Sequence, residues 1–107
     1  MEKKLLYKMH ADVCKALANA IRIEIIDVLK DKELTFGEIT EKTGATKSNL
    51  SQHLTVMVQK GILNHRKEGL HVYYKLSSTK VHEAFHIMRE VLRERINKQS
   101  ELIKKFK

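Results

Sequence analysis

Between Gly44 and Gly61 the chain reads GATKSNLSQHLTVMVQKG. At helical spacing its polar side chains share one face: Ser48, Ser51, Gln52, Thr55 and Gln59, with Asn49 and His53 on one flank and Lys47 on the other. No acid interrupts that face. Gln and Asn can bond two edges of adenine at once, Ser and Thr can serve most bases, and one good bidentate pair discriminates by about 1–3 kcal/mol. A merely solvated helix more often carries Glu/Lys pairs. The opposite face is apolar through Leu50, Leu54, Met57 and Val58, at the i, i+4, i+7, i+8 spacing of a buried stripe. The chemistry on offer is hydrogen-bond reading of base edges; the competing reading is a surface helix that happens to lack acids.

Other side chains offer different chemistry. His82, His86 and Glu90 follow one another at one helical turn, a spacing that lets three ligands converge on one cation. They lie off the apolar stripe, where a solvated surface is the alternative. His10 and Cys14 repeat the i, i+4 spacing, and thiolate with imidazole suits zinc or copper, against a neutral cysteine that simply packs. Cys14 could also be oxidised, or bridge to a symmetry mate. We expect no metal site from this set, and it leaves any cofactor unknown. No Ser/His/Asp spacing and no Gly-rich phosphate loop accompany it, so an enzyme is not expected.

The elements that would position the reading face follow from local signals. Residues 3 to 17 place Leu5, Leu6, Met9, Val13, Ala16 and Leu17 at helical spacing. Asn19 can cap a second helix whose Ile21, Ile25, Val28 and Leu29 face inward, widened by Ile23 and Ile26, while Arg22, Glu24 and Asp27 stay wet. Thr35 with Glu38 three places on signals a short third helix ending at Thr43, with Gly44 as its stop. Thr46 then caps the next helix, giving a helix-turn-helix over about residues 35–60. A wing over 62–76 is expected from two extended segments around Gly69, its tip projecting Arg66 and Lys67 onto a phosphate backbone or into a minor groove. A plain stabilising hairpin is the alternative. His71, Tyr73 and Lys75 share one face of its second strand and Val72, Tyr74 and Leu76 the other, which makes Tyr73 the better DNA contact of the tyrosine pair. His53, beside the reading face, is expected to be structural.

From about Ser78 to Lys105 a long helix carries Val81, Ala84, Phe85, Met88, Val91, Leu92 and Ile96, extended by Leu102, Ile103 and Phe106. That apolar surface exceeds what a small domain can cover, so pairing with a second copy beside the N-terminal helix is expected, and two-fold symmetry matches a palindromic operator.

The fold class expected is mainly α with a small β-hairpin wing, one domain over residues 1–107 dimerising through its terminal helices. The formal net charge is +8, and between Lys42 and His82 the only acid is Glu68, against seven Lys and Arg. Such a segment seeks a polyanion, double-stranded DNA above all, with affinity that falls steeply with salt. Its basic part lacks the apolar face of a membrane-lying helix. With no transmembrane-length run, no signal-peptide core and a single cysteine, a cytoplasmic protein is expected. These features favour a sequence-specific regulator in which Ser48, Asn49, Ser51, Gln52 and Thr55 read bases, Thr46 and Lys47 touch phosphate, and Arg66, Lys67, His71 and Tyr73 contact DNA from the wing. The alternatives are an architectural, nonspecific nucleic-acid binder and a winged helix turned protein-interaction module.

The order of elements, with Lys15-Ala16-Leu17-Ala18-Asn19 followed by Arg22 and Ile25, Ser51-Gln52-His53-Leu54, Lys60-Gly61-Ile62-Leu63 and Val72-Tyr73-Tyr74-Lys75-Leu76, resembles the ArsR/SmtB family of winged helix-turn-helix repressors. The resemblance covers nearly the whole chain. It implies a dimeric repressor released from its operator by a metal ion, a thiol oxidant or another ligand. Two of the family's metal sites are not intact here. The cysteine pair expected within residues 33–38 is absent. In the C-terminal helix His82 fits, but Lys80 replaces an acid, and Arg93 and Ile96 stand at the later ligand positions.

Overall fold

The computed structural model describes residues 2–105. Five helices and three short strands follow in the order α1 (Lys3–Leu17), α2 (Ala20–Leu29), β1 (Leu34–Thr35), α3 (Phe36–Thr43), α4 (Lys47–Gln59), β2 (Leu63–Glu68), β3 (His71–Leu76) and α5 (Lys80–Lys105). Phe106 lies outside the described residues. The winged helix-turn-helix expected from the sequence is the architecture found.

Local chemistry sets the boundaries. The Asn19 side chain accepts from the amides of Ile21 and Arg22 at 2.9 and 3.3 Å and so opens α2. Thr35 and Glu38 form a reciprocal capping box: Glu38 N–H donates to Thr35 Oγ1 at 3.1 Å, and Thr35 N–H donates to Glu38 Oε1 at 3.0 Å. Gly44 ends α3 in the left-handed region at φ 68°, and its amide donates to the Thr40 carbonyl. Two residues later the Thr46 hydroxyl accepts from Asn49 N–H and starts α4. The turn between the two helices is thus fixed at both ends by side-chain and backbone hydrogen bonds.

The core sits where α2, α3, α4 and the sheet meet. Ile25, Ile26, Leu29, Ile39, Leu50, Leu54, Met57 and Leu63 are fully buried, and removing each from water contributes about 2 kcal/mol. Of the apolar stripe expected on α4, Leu50, Leu54 and Met57 go inside as their spacing requires, and Val58 is partly buried against them. The sheet has the order β1-β3-β2 and is antiparallel throughout. β1 is the strand that periodicity did not announce: it has two residues, pairing Leu34 with Tyr74 and Thr35 with Tyr73. The hairpin begins at Leu63 and turns through Gly69 and Leu70, with φ 61° at Gly69, as a two-residue loop demands.

The terminal helices contribute little to this core. Of α1 only Ala16 and Leu17 are buried, and no residue of α5 is, although Val81 and Phe85 pack against the core's edge. Leu5, Leu6, Met9 and Val13 stay about half exposed, as do Met88, Val91 and Leu92. The Cα radius of gyration, 17.0 Å, exceeds the roughly 13 Å of a compact chain this long. Among the described residues no helix is long and apolar enough to cross a membrane.

Candidate nucleic-acid interface

α4 presents its polar side chains outward. Lys47, Ser48, Asn49, Ser51, Gln52, Thr55 and Gln59 are all exposed, while Leu50, Leu54 and Met57 hold the helix down from beneath. Thr46, Ser48, Asn49, Ser51, Gln52 and Thr55 line one open concavity of about 630 Å³ together with Val56. Thr55 spends its hydroxyl hydrogen on the Ser51 carbonyl at 2.8 Å, which leaves its oxygen lone pairs and methyl for a partner. Six of the seven residues of this segment expected to touch DNA therefore line one surface, and the seventh, Lys47, is exposed in the first turn of the same helix. The first turn of α4 carries no acid, so its amides and Lys47 give that end a positive potential suited to phosphate.

His53 sits at the edge of the face, and its ring is fixed from behind. Arg22 Nε donates to His53 Nδ1 at 3.0 Å, and Arg22 Nη1 donates to the Ala16 carbonyl at 2.8 Å. Burial, and then the neighbouring guanidinium, hold the His53 pKa below its ordinary value. The neutral ring accepts at Nδ1, which leaves its proton on Nε2. Arg22 is therefore half-buried rather than wet as expected, because it links the end of α1 to α4 across the start of α2. Its apolar neighbours in sequence had marked it only as the polar side of a helix.

The wing arranges its side chains differently from expectation. Arg66 and Lys67 do not project from the tip, which is Gly69-Leu70, with Leu70 97% exposed. Arg66 pairs with Tyr73 and Lys67 with Val72, so the two cations point to opposite faces of the ribbon. Arg66 bonds Glu33 and Glu68 and stacks on Tyr73. The paired carboxylates push its pKa up, and Glu33 is held below the usual carboxylate range, first by its hydrogen bond from Arg66. Lys67 and His71 are exposed on strand ends beside the turn. Burial raises the pKa of Tyr74, the inward tyrosine of the pair.

The three side chains considered as metal ligands on α5 do not converge on one point. His82 turns toward α2 and meets Asp27 at 3.3 Å, where Arg89 also donates to Asp27 at 2.7 Å. His86 and Glu90 approach each other at 3.4 Å. The convergence of His82, His86 and Glu90 suggested by their spacing does not occur, because the Asp27 carboxylate on the neighbouring helix claims the first of them. Among the described residues no three His, Cys, Asp or Glu side chains are grouped to hold a metal ion. His10 and Cys14 are exposed on α1. The packed, buried Cys14 offered as one expectation is thus corrected: α1 reaches the core only through its last two residues.

Comparison with known proteins places this geometry. Residues 19–65 match the family described as "Bacterial regulatory protein, arsR family". The transcriptional repressor SdpR of Bacillus subtilis is 30% identical over 77 residues, 72% of this chain and 86% of that protein. The chain belongs to the ArsR family. The transcriptional activator HlyU of Vibrio cholerae is 45% identical over 67 residues, which span 63% of this chain and 62% of that protein. Its solved structure superposes with a TM-score of 0.73 at 36% identity, covering 85% and 97% of the two chains. A homodimeric winged helix-turn-helix DNA-binding domain from Mycobacterium bovis, Mb0332, gives a TM-score of 0.75 at 31% identity, covering 88% of this chain and 87% of that one. As an ArsR-family winged helix-turn-helix protein, the chain is a DNA-binding transcriptional regulator and not an enzyme.

Proposed function

We propose that this regulator is a single winged helix-turn-helix domain that acts in the cytoplasm as a homodimeric repressor, reading a palindromic operator through two copies of α4. The observation that carries the reading is the outward face of that helix, where seven polar side chains stand exposed with no acid among them. Ser48, Asn49, Ser51, Gln52 and Thr55 read base edges, Thr46 and Lys47 meet phosphate, and Lys67 and His71 reach the flanking backbone from the wing. A second copy covers the half-exposed apolar stripes of α1 and α5, in keeping with the homodimeric Mycobacterium domain. Two symmetric recognition helices then face two half-sites one helical turn apart. Repression follows from occupancy of the promoter, and an inducer releases the DNA, as the family resemblance implies.

The test is fluorescence anisotropy at physiological salt, comparing a duplex enriched by the protein from a random pool with an unselected duplex. Gln52→Ala costs about 1–3 kcal/mol at one base position and leaves unselected DNA unaffected. Lys67→Gln weakens all sequences alike. Equal affinity of the intact protein for both duplexes overturns the reading in favour of an architectural binder.

A further inference from the structure

Arg66 occupies the middle of β2, opposite Tyr73 of β3, and Tyr73 pairs on its other side with Thr35 of β1. The guanidinium lies over the Tyr73 ring, 4.4 Å from its centroid. It continues past the ring to Glu33, the residue before β1: Nη2 donates to Oε1 at 2.6 Å, and Nε donates to both carboxylate oxygens at 3.1 Å. Nη1 donates to Glu68, two residues along the same strand face. One side chain thus reaches from β2 across β3 to the residue that leads into β1.

Its position matters because the strand that leads into α3 is held to the wing by little backbone pairing. β1 pairs with β3 through two residues and runs directly into α3. A bidentate contact from β2 to the residue preceding β1 therefore joins the outer strand of the wing to the segment that positions α3 and α4. The same contact argues against Arg66 as a phosphate ligand: Nε, Nη1 and Nη2 each direct an N–H at a carboxylate, and the trio of one Arg and two Glu carries a net charge of −1. An aromatic ring beneath the planar cation holds it in that plane.

We propose that Arg66 is a positioning residue, a strap over Tyr73 to Glu33 that sets the angle of the wing against the helix-turn-helix, while Lys67 on the opposite face supplies the wing's phosphate contact. The inference rests on the reading of α4 as the DNA-recognition helix, and its test separates the two. Binding to the enriched duplex is measured over a range of salt for the intact protein and for Arg66→Gln, Arg66→Lys and Glu33→Gln. A strap predicts that all three variants lose affinity roughly threefold, the modest size expected of an exposed ionic network, with the slope of log K against log salt unchanged. Arg66→Lys fails to rescue because a point charge cannot bridge ring and carboxylate together. A direct phosphate contact predicts instead that Arg66→Gln lowers that slope by about one unit, that Arg66→Lys restores it, and that Glu33→Gln, which removes a nearby acid, tightens binding. That pattern, or no change in any variant, overturns the strap. Amide exchange across residues 72–74 in DNA-free protein gives a second readout that does not depend on DNA. It rises in Arg66→Gln and Glu33→Gln alike if the strap exists and in neither if it does not, so failure of DNA recognition and failure of the strap are distinguishable.

Discussion

Arg22→Met keeps the aliphatic stem of Arg22 and removes the two hydrogen bonds that join the end of α1 to the recognition helix. The lost contacts are donation to His53 Nδ1 at 3.0 Å and to the Ala16 carbonyl at 2.8 Å. Hydrogen bonds from an ionised group contribute about 1.5–3 kcal/mol when shielded. Both are half-buried here, so water recovers part of that, and a total loss of about 1–2 kcal/mol is expected by urea unfolding. A cycle with His53→Ala isolates the contact between the guanidinium and the imidazole and gives a coupling of about 0.5–1 kcal/mol. The same pair has a pH signature. His53 titrates below its ordinary 6.5 in the folded chain, because burial and then the Arg22 charge disfavour the imidazolium. The unfolded chain therefore takes up the proton first. Stability from this site is whole above pH 6.5 and drains as the pH falls from there to the folded pKa. Removing the Arg22 charge raises the folded pKa of His53 and narrows that window, which histidine NMR resonances followed through a titration read directly. The reasoning is refuted if the two substitutions add within about 0.3 kcal/mol, or if the His53 pKa falls in Arg22→Met.

Three further outcomes follow from particular residues. Gly44→Ala costs about 1 kcal/mol in urea unfolding with an unchanged m-value, because φ is 68° there while a Cβ meets nothing within 4 Å, so the penalty is that of the left-handed backbone alone. Leu92→Glu places a charge in the exposed stripe of α5 and converts dimer to monomer in sedimentation, with the far-UV helical signal retained. Asp27→Asn flattens the acid limb of the stability curve. Burial works against ionisation of Asp27, but the hydrogen bond and charge of Arg89, then those of His82, outweigh it and leave the pKa below 3.8. The stabilisation is present above pH 3.8 and lost as the pH falls through the folded value, and at this exposure it stays under about 1 kcal/mol.

The parts of the fold legible in the sequence are those whose causes lie within one helical turn. The Thr35–Glu38 box, the Gly44 stop and the Thr46 cap each join residues at most four apart, so the helix-turn-helix could be placed from residue types alone. The contacts that escaped reading join residues far apart along the chain: Arg22 with His53, Arg66 with Glu33, and Arg89 with Asp27. A charged side chain shows its sign in the sequence but not its partner. Arg66 looked like a free cation on a wing because β1, two residues long, is too short to show a period, and without β1 nothing brings Glu33 beside the hairpin.

Apolar periodicity has the same limit, and there the limit is informative. Leu50, Leu54 and Met57 mark an apolar face at helical spacing and are fully buried, whereas Leu5, Leu6 and Met9 mark another at comparable spacing and remain about half exposed. The spacing reports that a face is apolar; it does not say which surface covers it. α4 finds its cover within the chain because α2 and the sheet lie beneath it. α1 extends past the core, and only its last turn lands on it. Sequence selects against leaving so many large apolar side chains in water on two helices at once, since exposed patches of that extent invite association. The excess stripe on α1, matched by that on α5, is therefore a statement about assembly written in the same periodicity as the fold. Its consequence for the proposed function is geometric: a second copy seated on these helices sets the distance between two recognition faces, and under that proposal the distance sets which spacing of half-sites is read.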